Sequence, residues 1–315
     1  PSLISLPSLE NHKNPSKIGI EIFNDPTQCS SSKTLQCSRK ADDGRIILLI
    51  MSDHSRSFEI TKHSPEGNTP LSDQLAVEEP LQVVIDGRPL AVLMRTPGDD
   101  EVLILGFMLS EGIISKKSDV TRIDLEARDN HALVFLTDDH PMDWERLTRH
   151  LFSASSCGLC GKVTIDAILQ SHPAIASKFS LEREILLEAP YAMRKAQDTF
   201  ESTGGLHASA IFDSNGTLLA LREDVGRHNA LDKVIGHALT SDIDLSETFL
   251  LVSGRISFEL MQKALAAGIP LIAGISAPSS LAVEFANDSG QTLIGFLRPP
   301  TFNIYHGEDR IKKSP

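Results

Sequence analysis

The sequence predicts an α/β protein, with a small α+β domain first and a layered α/β domain after it. Three short apolar runs, Phe249–Val252, Pro270–Ile275 and Thr292–Phe296, have the continuous hydrophobic pattern of strands that are buried on both faces of a sheet. Predicted helices at Ser257–Ala267 and Ser280–Asn287 separate these runs. Strands that alternate with helices in this way are typical of α/β layers.

Length and composition indicate a soluble globular protein. The chain has 315 residues, of which 41% are hydrophobic and 23% are charged, and this length suggests about two domains. No apolar run approaches the roughly 18 residues that span a bilayer, and residues 1–7 lack the regions of a secretory signal. A net charge of −12 argues against a nucleic-acid partner, but it is compatible with a local basic pocket for a phosphorylated ligand.

The predicted domain boundaries are 1–56, 57–200 and 201–315. The first segment is rich in Ser, Asn, Lys and Pro and has little periodicity, so we expect a poorly ordered extension, with Met51 as the natural start. Cys29 and Cys37 fall within it. Four cysteines do not make a disulfide scaffold in a chain of this length, which predicts a reducing, cytoplasmic location.

The α+β domain is predicted from a hairpin and a helix. Asp86-Gly87 is a strong turn signal between the strands Leu81–Ile85 and Arg88–Arg95. A helix over Glu101–Ser110 follows, with Thr96 or Asp99 as its cap and Gly112 at its end. Further predicted elements are the strands Phe58–Thr61, Val120–Leu125 and Ala132–Leu136 and the helices Met142–Phe152, Val163–Ser171 and Pro190–Phe200.

The layered domain is predicted to begin with another hairpin. Ala208–Phe212 and Leu218–Arg222 flank the turn-forming residues 213–216, and the helix Asn229–Leu239 follows. The remaining strands and helices are those given at the outset.

Cys157 and Cys160 are the first candidates for chemistry. If Gly161-Lys162 leads into the helix at Val163–Ser171, both thiols lie on a flexible loop at a helix N-terminus. The helix dipole and the Lys162 ammonium there favour the thiolate, which is both a nucleophile and a metal ligand. The pattern therefore predicts either a sulfur-handling site or half of a metal site.

The spacing of the other candidate ligands favours sulfur handling. Zinc needs about four ligands, and neither Cys29 and Cys37 nor His150 and His172 supply a matching pair, so no structural metal is expected. A thioredoxin-type site would have an apolar strand before its first cysteine, whereas residues 153–156 are small and polar. A loop with one nucleophilic thiol and a second nearby suits a persulfide carrier better.

Three turns in the second half combine glycine with a basic side chain, at Gly226-Arg227-His228, Gly254-Arg255 and Gly295–Arg298. Glycine lets a ligand approach the backbone, helix N-terminal amides bind anions, and arginine binds phosphate with two hydrogen bonds. Together they predict a ligand that carries phosphate, although each arginine alone would more often form a surface ion pair.

Two histidines are further candidates. His207 follows Gly204-Gly205 and either bonds nearby backbone as a structural residue or belongs to the ligand pocket. His228 lies one helical turn before Asp232, so these two side chains could pair.

The ordered motifs of the chain resemble those of the FdhD/NarQ family. The resemblance covers about residues 58–305, and its longest run is Glu223–Lys233, which reads EDVGRHNALDK. The other matching stretches, in chain order, are Glu79-Pro80-Leu81, Arg95–Asp99, Gly106-Phe107, Ser110-Glu111-Gly112, Cys157–Gly161, Gly204–His207, Ser253-Gly254-Arg255, Leu293–Arg298 and Asn303-Ile304-Tyr305.

The resemblance implies a fold and a function. The second half would have a cytidine deaminase-like, three-layer α/β/α fold, without a deaminase zinc site, because no His-x-Glu accompanies a Pro-Cys-x-x-Cys here. The protein would be a homodimeric sulfurtransferase that receives sulfur from a cysteine desulfurase. It would pass that sulfur to the molybdenum of bis-molybdopterin guanine dinucleotide before this cofactor enters formate dehydrogenase.

The resemblance also implies site residues. Cys157 would carry the persulfide and Cys160 would assist, while Phe296, Leu297, Arg298, Pro299, Pro300 and Thr301 would line the guanine dinucleotide site. Our wider expectation for that site adds His207, Arg227, His228 and Arg255. Pro299 and Pro300 offer no backbone N–H, so contacts there would come from side chains such as that of Arg298.

Two other functions remain compatible with the sequence. A non-catalytic chaperone would bind and protect the molybdenum cofactor, with the cysteines only contacting a partner. A thiol redox protein would form a reversible Cys157–Cys160 disulfide near the cytosolic potential.

Overall fold

The computed structural model describes residues 54–142, 144 and 173–312, together with the strand backbones β1 (Gly19–Phe23), β2 (Ser38–Lys40) and β3 (Ile46–Ile50). Two compact units result, Pro1–Asp53 and His54–Pro315. In the first unit, β3 pairs antiparallel with both β1 and β2. The poor order of the extension 1–56 and the domain boundary at residue 200 stay predictions.

The second unit starts with a two-stranded ribbon of β4 (Ser55–Ser64) and β5 (Gly67–Ala76). The sequence predicted part of β4 but not β5. Every residue of β5 is at least partly exposed, so this strand has no buried face to produce the alternating apolar pattern that indicates a strand.

A four-stranded sheet follows, in the spatial order β7-β6-β9-β8. The hairpin of β6 (Glu79–Ile85) and β7 (Arg88–Arg95) turns at Asp86 and Gly87, whose φ values are 46° and 80°. Helix α1 (Asp100–Ser110) and the strands β8 (Val120–Asp124) and β9 (His131–Leu136) complete this α+β part. The predicted hairpin, helix and strands are confirmed.

The larger sheet has six strands, in the order β12-β11-β13-β14-β15-β16. Strands β13, β14 and β15 run parallel, and the other pairings are antiparallel. The elements from residue 181 onward are β10 (Leu181–Glu182), α2 (Arg183–Lys195), α3 (Asp198–Thr203), β11 (His207–Asp213), β12 (Leu218–Asp224), α4 (Arg227–Thr240), β13 (Thr248–Val252), α5 (Phe258–Ala266), β14 (Leu271–Gly274), α6 (Ser280–Ser289), β15 (Thr292–Arg298), β16 (Thr301–His306) and β17 (Ile311–Lys312). The short strands β10 and β17 pair separately.

Helices cover both faces of the larger sheet. Helices α4, α5 and α6 pack on one face, around buried residues such as Leu231, Leu260 and Phe285. On the other face, α2 buries Leu186 and Met193 against the strands. The α/β class is confirmed by this layered arrangement, and the more specific likeness to cytidine deaminase stays a prediction.

The predicted helix at Pro190–Phe200 is wrong in its bounds. Proline is common in the first turn of a helix, which made Pro190 a reasonable start. Helix α2 instead begins at Arg183, and its buried stripe of Leu186, Ala189 and Met193 stabilises the turns around the proline. The chain breaks at Ala196-Gln197 and continues as α3, so the one predicted helix is two.

The predicted cap of α1 is confirmed in its position, at Asp99, but not in its side-chain hydrogen bond. Asp99 occupies the N-cap position, but its φ is 57° and its side chain accepts no capping hydrogen bond. Its carboxylate lies 3.3 Å from Arg222 Nε instead. The predicted helices Met142–Phe152 and Val163–Ser171 lie outside the described residues, apart from a non-helical Met142 and the isolated helical position of Trp144.

Helices α1 and α4 cross at unusually close range because each presents a glycine. A Cβ added to Gly106 would lie 1.7 Å from the Asp232 carbonyl oxygen, and one added to Gly236 would lie 1.8 Å from that of Val102. Only glycine, whose side chain is a hydrogen atom, allows the two helices to approach this closely. The crossing joins the α+β part to the larger sheet.

A buried ion pair holds the same junction. Asp224 and Lys233 are almost fully buried, with Lys233 Nζ 2.8 Å from Asp224 Oδ2. Lys233 also donates to the Thr96 carbonyl oxygen at 2.9 Å, and Asp224 accepts from the Thr96 N–H at 3.1 Å. Asn229 donates to Asp224 and to the Met94 carbonyl oxygen, so the end of β7 is bound from two positions on α4.

A second buried cluster is centred on Asp232, the residue before Lys233 on α4. Lys263 Nζ contacts Asp232 Oδ2 at 3.0 Å, Glu111 Oε1 at 2.7 Å and Ser110 Oγ at 2.9 Å. Burial alone would lower the pKa of Lys263, but the Asp232 and Glu111 carboxylates raise it above its usual value. Asp232 therefore pairs with Lys263, and the suggested pairing with His228 is wrong.

The glycine crossing predicts a severe packing defect. Gly106→Ala or Gly236→Ala should lower the free energy of unfolding by about 3 kcal/mol or more, because the new methyl group forces the helices apart. Urea unfolding measures this change. Gly205→Ala is the control, since its Cβ would make only ordinary contacts, with the Ala76 Cβ at 3.5 Å and the Thr203 carbonyl oxygen at 3.9 Å. Equal stability of the Gly106 variant and the control would contradict the close crossing.

The Asp224–Lys233 pair predicts strong coupling. Lys233→Met should cost roughly 3–5 kcal/mol of unfolding free energy, because it leaves a carboxylate buried without its cation. The double variant Lys233→Met, Asp224→Asn should lose less unfolding free energy than the sum of the losses in the two single variants. The exposed pair Arg56–Glu79 is the control, and Arg56→Ala should cost below about 1 kcal/mol. Simple additivity at Asp224 and Lys233 would refute the coupling.

Candidate functional site

The predicted binding residues meet at one edge of the larger sheet. The parallel strands β13, β14 and β15 end there, which is where ligands bind in open α/β sheets. Strand β11 starts at this edge with His207, and β12 ends beside it, because His207 pairs with Asp224. The same edge therefore carries three predicted arginines. Arg298 is the last residue of its strand, and Arg227 and Arg255 come shortly after theirs.

Hydrogen bonds between the loops tie this edge together. Ile256 donates to the Ala277 carbonyl oxygen at 3.1 Å and accepts from the Ser279 N–H at 2.9 Å. Phe296 donates to the Ser276 carbonyl oxygen at 3.0 Å. The loops after β13 and β14 and the end of β15 thus form one connected surface.

A cleft of about 780 Å³ opens at this edge. His207, Leu297, Arg298 and Pro299 line it, so the structure brings four predicted residues together. The described residues that line the cleft include two arginines and a histidine but no Asp or Glu, although the whole chain has 42 acidic and 30 basic residues. The cleft is cationic in an acidic protein, and its volume is that of a small-molecule site.

Each arginine of the cleft lies over an aromatic ring. The Arg194 guanidinium is 4.7 Å from the centre of the Phe200 ring, and the Arg298 guanidinium is 5.6 Å from that of Phe296. Arg298 Nε also donates to the Ile275 carbonyl oxygen at 3.0 Å. These contacts orient the two guanidinium groups and leave other N–H groups for an anion.

Phe296 has a strained backbone. Its φ is 51°, in the left-handed region that a bulky residue rarely adopts, and its ring is 38% exposed. Strain of this kind is found at functional sites, where surrounding structure holds it. Here the Phe296 N–H bond to Ser276 and the neighbouring buried Leu297 hold the strand end.

The surroundings of His207 favour its neutral form. Burial lowers its pKa, the positive charge of Arg227 lowers it further, and Asp224 opposes both effects. Its Nδ1 lies 3.2 Å from where a Cβ of Gly254 would be, so only glycine gives the ring this much room. His207 is thus a neutral ring at the cleft wall, with Arg227 close enough to influence it.

Most residues of the run Glu223–Lys233 have structural roles. The Glu223 carboxylate accepts the N–H groups of Thr199 and Phe200 at the start of α3, at 3.0 and 2.9 Å. The Gly226 N–H donates to Asp224 Oδ1 at 2.8 Å, so this amide is not free to bind a phosphate. Arg227 and His228 are the exceptions in this run.

Arg227 and His228 each have a nitrogen without a partner. Arg227 Nε and His228 Nε2 are sealed from solvent and hydrogen-bond to none of the described residues. Burial, Lys263 and Arg227 lower the pKa of His228 to about 4, against the smaller opposing effects of Glu259 and Glu111. His228 lies beside Glu259, with Nε2 4.0 Å from Oε2, and its ring is neutral at pH 7.

The other predicted residues lie around the cleft rather than in its lining. Arg255 is exposed in the loop after β13. Pro300 follows Pro299 through a cis peptide bond in the turn to β16, and Thr301 lines a separate pocket of about 300 Å³ with Arg183 and Lys312. Within the described part of the chain, Arg227, Arg255 and Arg298 form no salt bridge.

The cysteines lie outside the described residues. This holds for Cys157 and Cys160 and for Cys29 and Cys37, so their predicted roles stay predictions. In the described ranges no three His, Cys, Asp or Glu side chains are grouped closely enough to hold a metal ion. No helix between 54 and 312, as far as described, is long and apolar enough to cross a membrane.

The predicted site residues do not include one wall of the cleft. This wall consists of Tyr191, Arg194, Gln197 and Phe200, on α2, α3 and their junction, where the sequence predicts a single helix. No motif marks these residues. They reach the cleft because the chain breaks at Ala196-Gln197, and the tertiary packing that sets this break is not visible in a local pattern.

Comparison with known proteins agrees with the motifs. The model of the FdhD/NarQ family matches residues 76–312. A protein from Streptomyces avermitilis named sulfur carrier protein FdhD is 46% identical over 255 residues, covering 76% of this chain and 89% of its own length. A protein of the same name from Sulfolobus acidocaldarius is 42% identical over 257 residues, covering 81% and 98%.

A solved structure has the same fold. It is that of a candidate formate dehydrogenase accessory protein from Desulfotalea psychrophila, with a TM-score of 0.67 and 24% identity. The match covers 82% of this chain and 99% of the other. The family match and the curated relatives together establish that this chain belongs to the FdhD/NarQ family.

Proposed function

We propose that this chain is a sulfur carrier in the maturation of formate dehydrogenase. It accepts persulfide sulfur from a cysteine desulfurase on Cys157 and transfers it to the molybdenum of bis-molybdopterin guanine dinucleotide. Relatives from two organisms carry the name sulfur carrier protein FdhD, and the related structure is named as a candidate formate dehydrogenase accessory protein.

The cationic cleft is the observation that carries the proposal. Two arginines and a neutral histidine line it together with aromatic and apolar walls, without a carboxylate among the described lining residues. A guanine dinucleotide needs cations for its diphosphate and flat apolar walls for its base. The composition of the cleft fits both parts of this substrate cofactor.

Different residues of the cleft would bind the diphosphate and the base. Arg298 and Arg194 would hold phosphate oxygens, and Arg227 would add positive charge from behind His207. Tyr191, Phe200 and Leu297 would contact the base. Proline at 299 and 300 supplies no N–H donor, so side chains would make most of the polar contacts on that side.

Acceptance of the sulfur needs one nucleophilic thiolate. The Cys157 thiolate attacks the terminal sulfur of the desulfurase persulfide, one S–S bond forms as another breaks, and the desulfurase cysteine leaves as a thiolate. The Cys160 thiol then attacks the inner sulfur of the Cys157 persulfide, a Cys157–Cys160 disulfide forms as the persulfide S–S bond breaks, and the outer sulfur leaves as hydrosulfide for the cofactor in the cleft. Lys162 and the predicted helix N-terminus favour the reactive thiolate.

The proposed partners follow from this sequence of steps. A cysteine desulfurase supplies the sulfur, the catalytic subunit of formate dehydrogenase receives the sulfurated cofactor, and the chain works as a homodimer in the cytoplasm. The non-catalytic chaperone would use the same cleft and partners but would carry no sulfur on Cys157. Detection of an added sulfur atom on Cys157 therefore distinguishes the sulfur carrier from the chaperone.

Cys157→Ala should abolish formate dehydrogenase maturation without unfolding the protein, because it removes the acceptor thiol. The activity of formate dehydrogenase in cells that carry the variant measures this loss, and thermal unfolding checks the fold. Cys37→Ala is the matched control and should mature the enzyme normally. Full maturation with Cys157→Ala would reject the sulfur-carrier role.

Mass spectrometry tests the chaperone alternative directly. After incubation with a desulfurase and cysteine, the Cys157 peptide should gain sulfur, and the Cys157→Ala protein should not. An unmodified Cys157 that nevertheless supports maturation would favour the chaperone.

Guanine dinucleotides should raise the melting temperature of the protein. A ligand at about 100 times its dissociation constant adds roughly 2.7 kcal/mol of stability, which corresponds to a rise of about 5 °C. Arg298→Ala should weaken binding by about tenfold or more, since a charged hydrogen bond is lost, and Arg227→Ala should also reduce the rise.

Arg122→Ala is the control for these arginine variants. Arg122 also lies over an aromatic ring, that of Phe135, but it belongs to β8 and does not line the cleft. Its removal should leave the ligand-induced rise unchanged. No rise for the unmodified protein at saturating ligand would reject the cleft as the cofactor site.

A further inference from the structure

One neutral polar side chain in the cleft has no described partner. Gln197 lines the cleft and is only 6% exposed, yet its side-chain amide makes no hydrogen bond with any described residue. The amide atoms of Gln197 are not among the described side-chain atoms that are both fully buried and unpartnered. The amide is therefore open to the cleft that Gln197 lines. Buried amides are normally hydrogen-bonded, and this one is available to a ligand.

The backbone holds Gln197 in a defined position. It lies at the junction of α2 and α3, where its N–H donates to the Arg194 carbonyl oxygen and its own carbonyl oxygen accepts from Glu201 at 3.1 Å. The Glu223 carboxylate binds the next free N–H groups of α3, those of Thr199 and Phe200. The amide is therefore presented from a fixed backbone, as a specificity contact requires.

The charged residues of the cleft cannot distinguish one base from another. Arg194 and Arg298 attract any phosphate, and the rings of Tyr191 and Phe200 stack on any base. An amide has both N–H donors and an oxygen acceptor, so it recognises an edge that offers an acceptor next to a donor. The O6 and N1–H groups of guanine form such an edge.

We infer that Gln197 is a specificity-determining residue that recognises the O6 and N1–H edge of a guanine base bound in the cleft. This inference rests on the proposed function, because it requires a guanine nucleotide as the ligand. The amide N–H donates to O6, and the amide oxygen accepts from N1–H. Arg194 and Arg298 hold the phosphates and contribute affinity without base selectivity.

The test pairs a change in the protein with a change in the ligand. GDP and N1-methyl-GDP are titrated by calorimetry into the unmodified protein and into Gln197→Leu. The unmodified protein should bind GDP about tenfold more tightly than N1-methyl-GDP, since the methyl group removes the donor. In Gln197→Leu the two ligands should bind equally, because the partner of N1–H is gone.

Arg194→Ala is the matched control on the same wall. It should weaken both ligands by the same factor and preserve the tenfold preference for GDP. Gln197→Met repeats the test with a linear side chain if Gln197→Leu does not fold. Equal melting temperatures of the ligand-free proteins show that the wall is intact.

The outcomes separate this inference from the proposed function. A preference for GDP that survives in Gln197→Leu or Gln197→Met overturns the role of Gln197 and leaves the cofactor cleft in place. A protein that binds neither ligand overturns the cofactor cleft itself, and the role of Gln197 falls with it. Loss of the preference in the Gln197 variants, with its retention in Arg194→Ala, supports both.

Discussion

The buried ion pair between Asp224 and Lys233 holds the α+β part against the larger sheet. It joins the end of β12 to helix α4 and binds both to Thr96 at the end of β7. Two buried charges are costly to desolvate, and the cost is offset because each has further hydrogen-bond partners. The same junction contains the Gly106–Gly236 crossing, where helices α1 and α4 approach each other closely.

This junction also positions the cleft. Glu223, next to Asp224, holds the start of α3, and α3 carries Phe200 into the wall. Past Asp224, Arg227 lies beside His207 at the same sheet edge. One short run of the chain thus contains both residues that stabilise the fold and, in Arg227, a cation close to His207 of the cleft. A disturbance of the ion pair would move the binding surface as well.

Much of the architecture could be predicted from the sequence, because buried strands and tight turns leave local patterns. The runs Phe249–Val252 and Thr292–Phe296 and the turn at Asp86-Gly87 are confirmed. The polar ribbon strand β5 and the break between α2 and α3 leave no such pattern. Motifs identified the family and several cleft residues, but Arg194 and Gln197 reach the cleft through tertiary packing and could not be found without coordinates.

We propose that the cleft holds a guanine dinucleotide cofactor while sulfur is delivered to it. Native mass spectrometry of the protein, purified from cells that make this cofactor, tests this proposal. We expect a complex whose released ligand contains guanine, and loss of that ligand when both Arg194 and Arg298 are changed to Ala. A folded protein that carries no nucleotide in the presence of excess cofactor, or one that keeps it without both arginines, would contradict the proposal.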